Sequence, residues 1–200
     1  MKMATRSKHI KINHEFIQEL TKLPECEHLK NCYQCGTCAA FCPSFKYSKV
    51  YNPRRIVQEV LVGLKDEIIK DTNLWFCGLC HACTEQCPQG VELSEILSHI
   101  RNLASKIGNI PAHLVGEVKN LLETGQVVPP SSAINRRREK LGLPEVPEAP
   151  VEEIRVLAES TGIEDMIKRK IAEDVEKERK IAEEAKARME KLEKEKKEEA

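Results

Sequence analysis

Eight of the nine cysteines fall in two runs of identical spacing, Cys32-x2-Cys35-x2-Cys38-x3-Cys42-Pro43 and Cys77-x2-Cys80-x2-Cys83-x3-Cys87-Pro88. No other feature limits the possible folds so strongly. Matching cysteines are all separated by the same 45 positions (77 − 32 = 45), so one structural unit is used twice. Within each run three thiols lie inside seven residues, close enough to wrap a single inorganic centre, and Gly36 and Gly78 let the backbone pass near it. The trailing proline then diverts the chain. An odd cysteine total, with the cysteines clustered, points to ligation in a reducing compartment and away from a disulfide framework.

C-x2-C-x2-C-x3-C-P is the ligand run of ferredoxin-type 4Fe-4S clusters, and in two-cluster proteins of this type the fourth cysteine serves the other cluster. On that rule Cys32, Cys35, Cys38 and Cys87 hold one cluster, and Cys77, Cys80, Cys83 and Cys42 hold the second. Each half then staples its partner. Structural zinc is the competing reading, since zinc also takes four thiolates; zinc sites, however, usually join two separated C-x2-C knuckles without a closing proline. A 3Fe-4S centre commonly lacks one ligand, and here all eight are present.

The rest of the chain suits a small core that needs such support. Only 4% of the 200 residues are aromatic while 32% are charged, so metal-site free energy must supplement hydrophobic burial. Lys+Arg and Asp+Glu both total 32, which leaves no net charge to draw in nucleic acid or an anionic membrane. No apolar stretch approaches the roughly 20 residues of a membrane span, and Met1 to Ile12 lacks the apolar centre of a secretion signal. A cytoplasmic protein, with neither nucleic acid nor membrane as partner, is expected.

Helical periodicity dominates, and the fold expected is mainly α: a helical two-cluster ferredoxin-like core with a pseudo-twofold repeat, followed by an arm and a long charged helix. Residues 1–23 form an N-terminal extension, in which Asn13 caps a short helix bearing Phe16, Ile17 and Leu20 that Pro24 ends. Residues 24–125 form the cluster domain. Its first helix begins at Asn52-Pro53 and carries Ile56, Val57, Val60, Leu61 and Leu64. Its second carries Leu93, Ile96, Leu97, Ile100 and Leu103 and stops at Gly108; its third carries Leu114, Val118, Leu121 and Leu122 and ends near Gly125. Residues 126–150, with five prolines and the cluster Arg136-Arg137-Arg138, read as an extended arm whose arginines are a solvated face or a protein contact. Residues 151–200 read as a charged helical extension with i to i+4 pairs such as Glu173 with Lys177 and Glu184 with Arg188. Its apolar positions Ile163, Ile167, Ile171 and Val175 thin out too soon for a coiled coil.

Four further residues stand near the runs. Cys26 reads as an ordinary buried thiol, His81 as a neighbour of its cluster, and Trp75 with Phe76 as a shield against water. No nucleophile with a base, no phosphate-binding loop and no dinucleotide fingerprint is found, so the chain does no bond chemistry of its own and no residue is assigned a catalytic role. Two one-electron centres side by side make a wire between a donor and an acceptor.

The run Cys-Tyr-Gln-Cys-Gly-Thr-Cys from Cys32, the second run from Cys77, and Asn-Arg-Arg-Arg-Glu-Lys-Leu-Gly-Leu-Pro at 135–144 together resemble the small iron-sulfur C subunits of the methanogen heterodisulfide reductases. The resemblance covers most of the chain, from about residue 10 to 165. It implies a cytosolic complex in which a flavin-bearing A subunit delivers electrons, the C subunit relays them, and a heterodisulfide-reducing B subunit acts on the disulfide of coenzyme M and coenzyme B. A hydrogenase or formate dehydrogenase stands upstream in such complexes. The cysteine runs alone also fit an iron-sulfur subunit of another oxidoreductase, of the thiol-fumarate reductase or lactate/glycolate oxidase type, or a metal-stabilised interaction module. The charged helix beyond Gly162 lies outside the resemblance.

Overall fold

The computed structural model describes residues 11–147 and 149–198, with side chains through Lys186 and at Arg188. It is helical, with no strand among the described residues, as the periodicity predicts. The chain divides into two compact units, one through Asn109 and one from Ile110.

The first unit is built from the cysteine runs and the helices that follow them. α1 (Phe16–Leu20) buries Phe16 and Leu20, and the Asn13 side chain accepts from the backbone N–H of Glu15 and Phe16 at 3.0 and 3.1 Å. The first run then leads through α2 (Thr37–Phe41) and α3 (Pro43–Tyr47) into α4 (Pro53–Leu61). Asn52 caps α4 by accepting from Arg55 N, with Pro53 in the first turn, and the face Ile56, Val57, Val60 is buried. Leu64 falls beyond that helix, because Gly63 at φ +80° turns the chain into α5 (Lys65–Lys70), an element the periodicity does not signal.

The second run leads through α6 (Ala82–Glu85) into α7 (Leu93–Lys106), whose Leu93, Ile96, Leu97 and Ile100 are buried. Gly108 follows at φ +79°, where the apolar period stops. α2 packs on α4 and on α6, α6 on α7, and α5 on α7, so one apolar core lies between the two long helices and backs both cysteine runs. Full burial of each such Leu or Ile contributes about 1.5–3 kcal/mol before conformational entropy is set against it.

The second unit contains α8 (Ala112–Thr124), α9 (Ser132–Lys140), α10 (Val151–Thr161) and α11 (Ile163–Glu198). α8 closes at Gly125, φ +73°, as its sequence predicts. It packs with α10 and α11. The stretch expected as an extended arm contains α9, which Ser131 caps by accepting from Ile134 N, so Arg136, Arg137 and Arg138 lie on a helix. Arg138 donates to the carbonyl of Pro144 at 2.7 Å and folds the segment back on itself. In α11 Ile167 is buried but Ile171 and Val175 are exposed, and Lys177 reaches Asp174 at 3.9 Å. Surface pairs of this kind are each worth at most about 1 kcal/mol.

Gly63 tests the joint between α4 and α5. A side chain there would meet the carbonyl of Asn13, whose N–H donates to Gly63 O at 2.8 Å. Gly63→Ala is expected to destabilise the first unit by about 1–3 kcal/mol in denaturant titration, combining a left-handed backbone with a backbone clash.

Candidate functional site

The two runs fold alike beyond their thiols. A 3-10 turn precedes each, Glu27–Asn31 and Thr72–Phe76, again 45 positions apart (72 − 27 = 45). The second residue after the first cysteine is left-handed in both, Gln34 at φ +63° and Leu79 at φ +48°. So is the fourth, Gly36 at +88° and His81 at +59°, and a short helix starts directly after it. Two left-handed residues curl each run into a loop whose thiols turn inward, a conformation with a cost that persists only where the surroundings over-determine it. Sequence reasoning allows this for Gly36; for Gln34, Leu79 and His81 no residue type announces it.

The loops surround two cavities. The first encloses about 370 Å³, partly open to solvent, and its wall contains Cys32, Cys35, Cys38 and Cys87, with Cys83 behind. The second, also partly open to solvent, spans about 330 Å³ and is lined by Cys42, Cys77, Cys80 and Cys83. Thus each cavity meets three thiols of one run and the fourth of the other. Cys83 stands in both walls. No three His, Cys, Asp or Glu side chains among the described residues converge as a single ion requires. Around zinc, thiolates bound at about 2.3 Å must crowd to roughly 3.8 Å from one another; here they ring a space instead, which fits a cubane better than an ion.

The donors around the sulfurs fit the same group. Backbone N–H groups of Phe45, Leu79 and Val91 point at Cys42, Cys77 and Cys87 at 3.4, 3.4 and 3.3 Å. Gln34 Nε2 lies 3.5 Å from Cys32 Sγ, and Thr37 Oγ1 lies 3.3 Å from Cys35 Sγ. The Thr37 hydrogen bond holds the exposed Cys35 thiol below its ordinary pKa. Burial instead pushes Cys38 and Cys83 up to about 11. Since only thiolates ligate iron, those two must surrender protons when a cluster is inserted.

Tyr51, only 1% exposed, lines the second cavity, with its hydroxyl in hydrogen-bonding reach of Cys77; burial, then the neighbouring thiols, raises its pKa. Sequence reasoning passes over it, because one tyrosine between helices carries no periodic signal. The same holds for Arg101, whose guanidinium donates to Leu74 O at 2.9 Å and Cys77 O at 2.5 Å and stacks over Trp75 at 5.2 Å. Trp75 also donates to Asn109 O at 3.1 Å, while Phe76 is half exposed, and neither lines a cavity. They brace the approach to Cys77; the apolar side chains that line the cavities are Val57, Val91 and Leu93 on one side and Tyr51 and Pro53 on the other.

His81 borders the second cavity, but its Nδ1 is engaged by the buried Ser94 hydroxyl at 2.9 Å and lies 3.6 Å from Glu95. Ser94 in turn meets Thr84 at 2.6 Å, a polar link that ties α6 to α7. Cys26 is fully buried in the apolar core, outside both cavities.

Within this helical, cysteine-lined core residues 28–91 match the 4Fe-4S dicluster domain family, which marks an iron-sulfur protein. The chain is 37% identical to the C subunit of the H(2):CoB-CoM heterodisulfide,ferredoxin reductase of Methanothermobacter marburgensis, over 78% of this chain and 86% of that protein. It is 36% identical to the iron-sulfur C subunit of the CoB--CoM heterodisulfide reductase of Methanopyrus kandleri, over 68% and 74%. The C2 subunit of the H(2)/formate:CoB-CoM heterodisulfide,ferredoxin reductase of Methanococcus maripaludis is 33% identical, over 76% and 87%. The chain belongs to the family of heterodisulfide reductase C subunits, an oxidoreductase family of iron-sulfur electron-transfer proteins. Among the described residues no helix is long and apolar enough to cross a membrane.

Cys26 gives a direct check on the ninth thiol. Burial, followed by the nearby Glu27 and Glu25, raises its pKa to about 11. The folded state therefore holds this proton more tightly than the unfolded chain, so its contribution to stability is intact below pH 9 and is lost as pH rises toward 11. Iodoacetamide is expected to label Cys26 only after unfolding, as peptide mass mapping will register.

Proposed function

We propose that Cys32, Cys35, Cys38 and Cys87 hold one 4Fe-4S cluster, that Cys42, Cys77, Cys80 and Cys83 hold a second, and that the chain relays electrons without catalysing a bond change. The observation that carries the reading is the crossing of the runs, since each cavity takes its fourth thiol from the other half. When bound, the clusters supply one-electron chemistry. The protein's own part is to hold the two sites on either side of Cys83, exclude water with the apolar faces of α4 and α7, and direct N–H donors at the sulfurs. The repeated turn, left-handed pair and short helix support a pseudo-twofold relation between the halves.

The names of the relatives support a place in a complex that reduces the CoB-CoM heterodisulfide. We assign the relay to the step between a flavin-bearing A subunit and a heterodisulfide-reducing B subunit, with a hydrogenase or formate dehydrogenase upstream, in the cytoplasm. The first unit is then the wire. The second, with α9 and its arginines, supplies surface for neighbouring proteins of the complex.

Anaerobic purification with iron, sulfide and zinc analysis, followed by EPR of the reduced protein, tests the cofactor. About eight irons and eight sulfides per chain are expected, with two magnetically coupled signals; zinc without sulfide would refute the relay. Cys87→Ser is expected to perturb the cluster of Cys32, and Cys42→Ser that of Cys77. The reverse pattern in EPR would show that each run fills its own site.

A further inference from the structure

The charged side chains near the two cysteine runs are sorted by sign. Between Glu27 and Glu59 no acidic residue occurs, and that stretch carries Lys30, Lys46, Lys49, Arg54 and Arg55. Arg55 is engaged by Glu59 at 2.7 Å, while the other four cations are exposed and none is ion-paired among the described residues. The chain as a whole is balanced, with Lys+Arg and Asp+Glu both 32, so this is a local excess. Unpaired cations repel one another and do nothing for the fold, whereas carboxylates on a partner protein would find them ready to pair.

The same stretch leaves aromatic rings in solvent, in a chain where only 4% of residues are aromatic: Tyr33, Phe41 and Tyr47 are 60, 50 and 94% exposed. Exposed rings interleaved with cations are the composition of a protein–protein contact, because rigid aromatic side chains bury much area at small entropic cost. These groups gather at a thiol that is itself exposed, Cys35. The Tyr33 hydroxyl lies in hydrogen-bonding reach of it, Thr37 Oγ1 stands 3.3 Å from its Sγ, and Phe41 follows Thr37 by one helical turn. Arg54 borders the same cavity, its stem passing Gly36. α3 packs on α2 and extends the surface with Lys46, Tyr47 and, just past its end, Lys49, whose ammonium is held over the Phe45 ring at 4.0 Å.

Beside the second run the sign is opposite. Residues 71–100 include Asp71, Glu85, Glu92 and Glu95, none of them buried, and no Lys or Arg. Arg101 follows, but its guanidinium is held part-buried on the carbonyls of Leu74 and Cys77. A protein with an acidic contact surface is therefore drawn to the first run and repelled from the second. We propose that the surface of the first run, α2 and α3 is the docking face for a one-electron redox protein whose contact surface is acidic. The partner sits over Cys35, covers Tyr33, Phe41 and Tyr47, and turns its carboxylates to Lys46, Lys49 and Arg54. This rests on the relay reading above and gives the port through which one partner exchanges electrons with the cluster of Cys32, Cys35, Cys38 and Cys87. In each encounter one centre loses an electron and the other gains it, and no bond forms or breaks.

The test compares the isolated chain with the native complex that contains it. Amine acetylation followed by peptide mass mapping is expected to modify Lys46 and Lys49 in the isolated chain and to spare them in the complex. A zero-length carbodiimide is expected to join one of them to an Asp or Glu of a neighbouring redox subunit. Lys46→Glu with Lys49→Glu is expected to weaken association with that subunit about tenfold or more at low salt, with wild-type iron and sulfide content. If that pair does not assemble, Tyr47→Ala decides: a side chain 94% exposed is not needed for folding, and its loss is expected to weaken the same association about tenfold. A cluster-loaded chain whose two lysines react equally in both states, or whose variants associate as the wild type does, overturns the face and leaves the relay standing. Wild-type chain with zinc in place of iron and sulfide overturns the relay and the redox partner with it.

Discussion

The first unit depends on one arrangement, the exchange of thiols between the two cysteine runs. Cys87 closes a wall begun by Cys32, Cys35 and Cys38, and Cys42 closes one begun by Cys77 and Cys80. Neither cavity can exist unless both runs are in place. This makes long-range order out of local loops, since partners as far apart as Cys42 and Cys77 must meet before either space is enclosed. The apolar core between α4 and α7 supplies the backing, but with few aromatic residues it is thin, and ligation free energy shared by both halves is the natural complement.

Around that exchange the polar side chains divide into two kinds of work. Arg101, Asn109 and the Ser94–Thr84–His81 link bond to backbone or to one another, and they fix the second run against α7 and its C-terminal turn. Gln34, Thr37 and Tyr51 turn toward sulfur instead. The first group sets where the thiols stand and the second sets their electrostatic surroundings.

The second unit shows the limits of periodicity as a guide. Gly125 ends its helix where the sequence says it should, and Gly162 ends α10 in the same way, because only a left-handed residue without Cβ closes such a turn cheaply. The proline-rich stretch still encloses α9, since its prolines lie outside residues 132–140 and Ser131 offers a cap at the right place. Composition described the flanks of that segment and concealed its centre.

The spacing of the cysteines, the helical periods of α4, α7 and α8 and the Asn52-Pro53 start were legible in the sequence, because each depends on residues near one another along the chain. Spacing and a general rule propose the ligand sets. What sequence could not specify is which side chains arrive at the cysteine loops from elsewhere: Tyr51 from the loop before α4, Arg54 from its first turn, Arg101 from the middle of α7. Nor could it show that Gln34, Leu79 and His81 adopt left-handed backbone, or that α8 packs with α10 and α11. Those outcomes turn on contacts between distant segments and on conformations that residue type alone disfavours, and only the packed tertiary structure decides them.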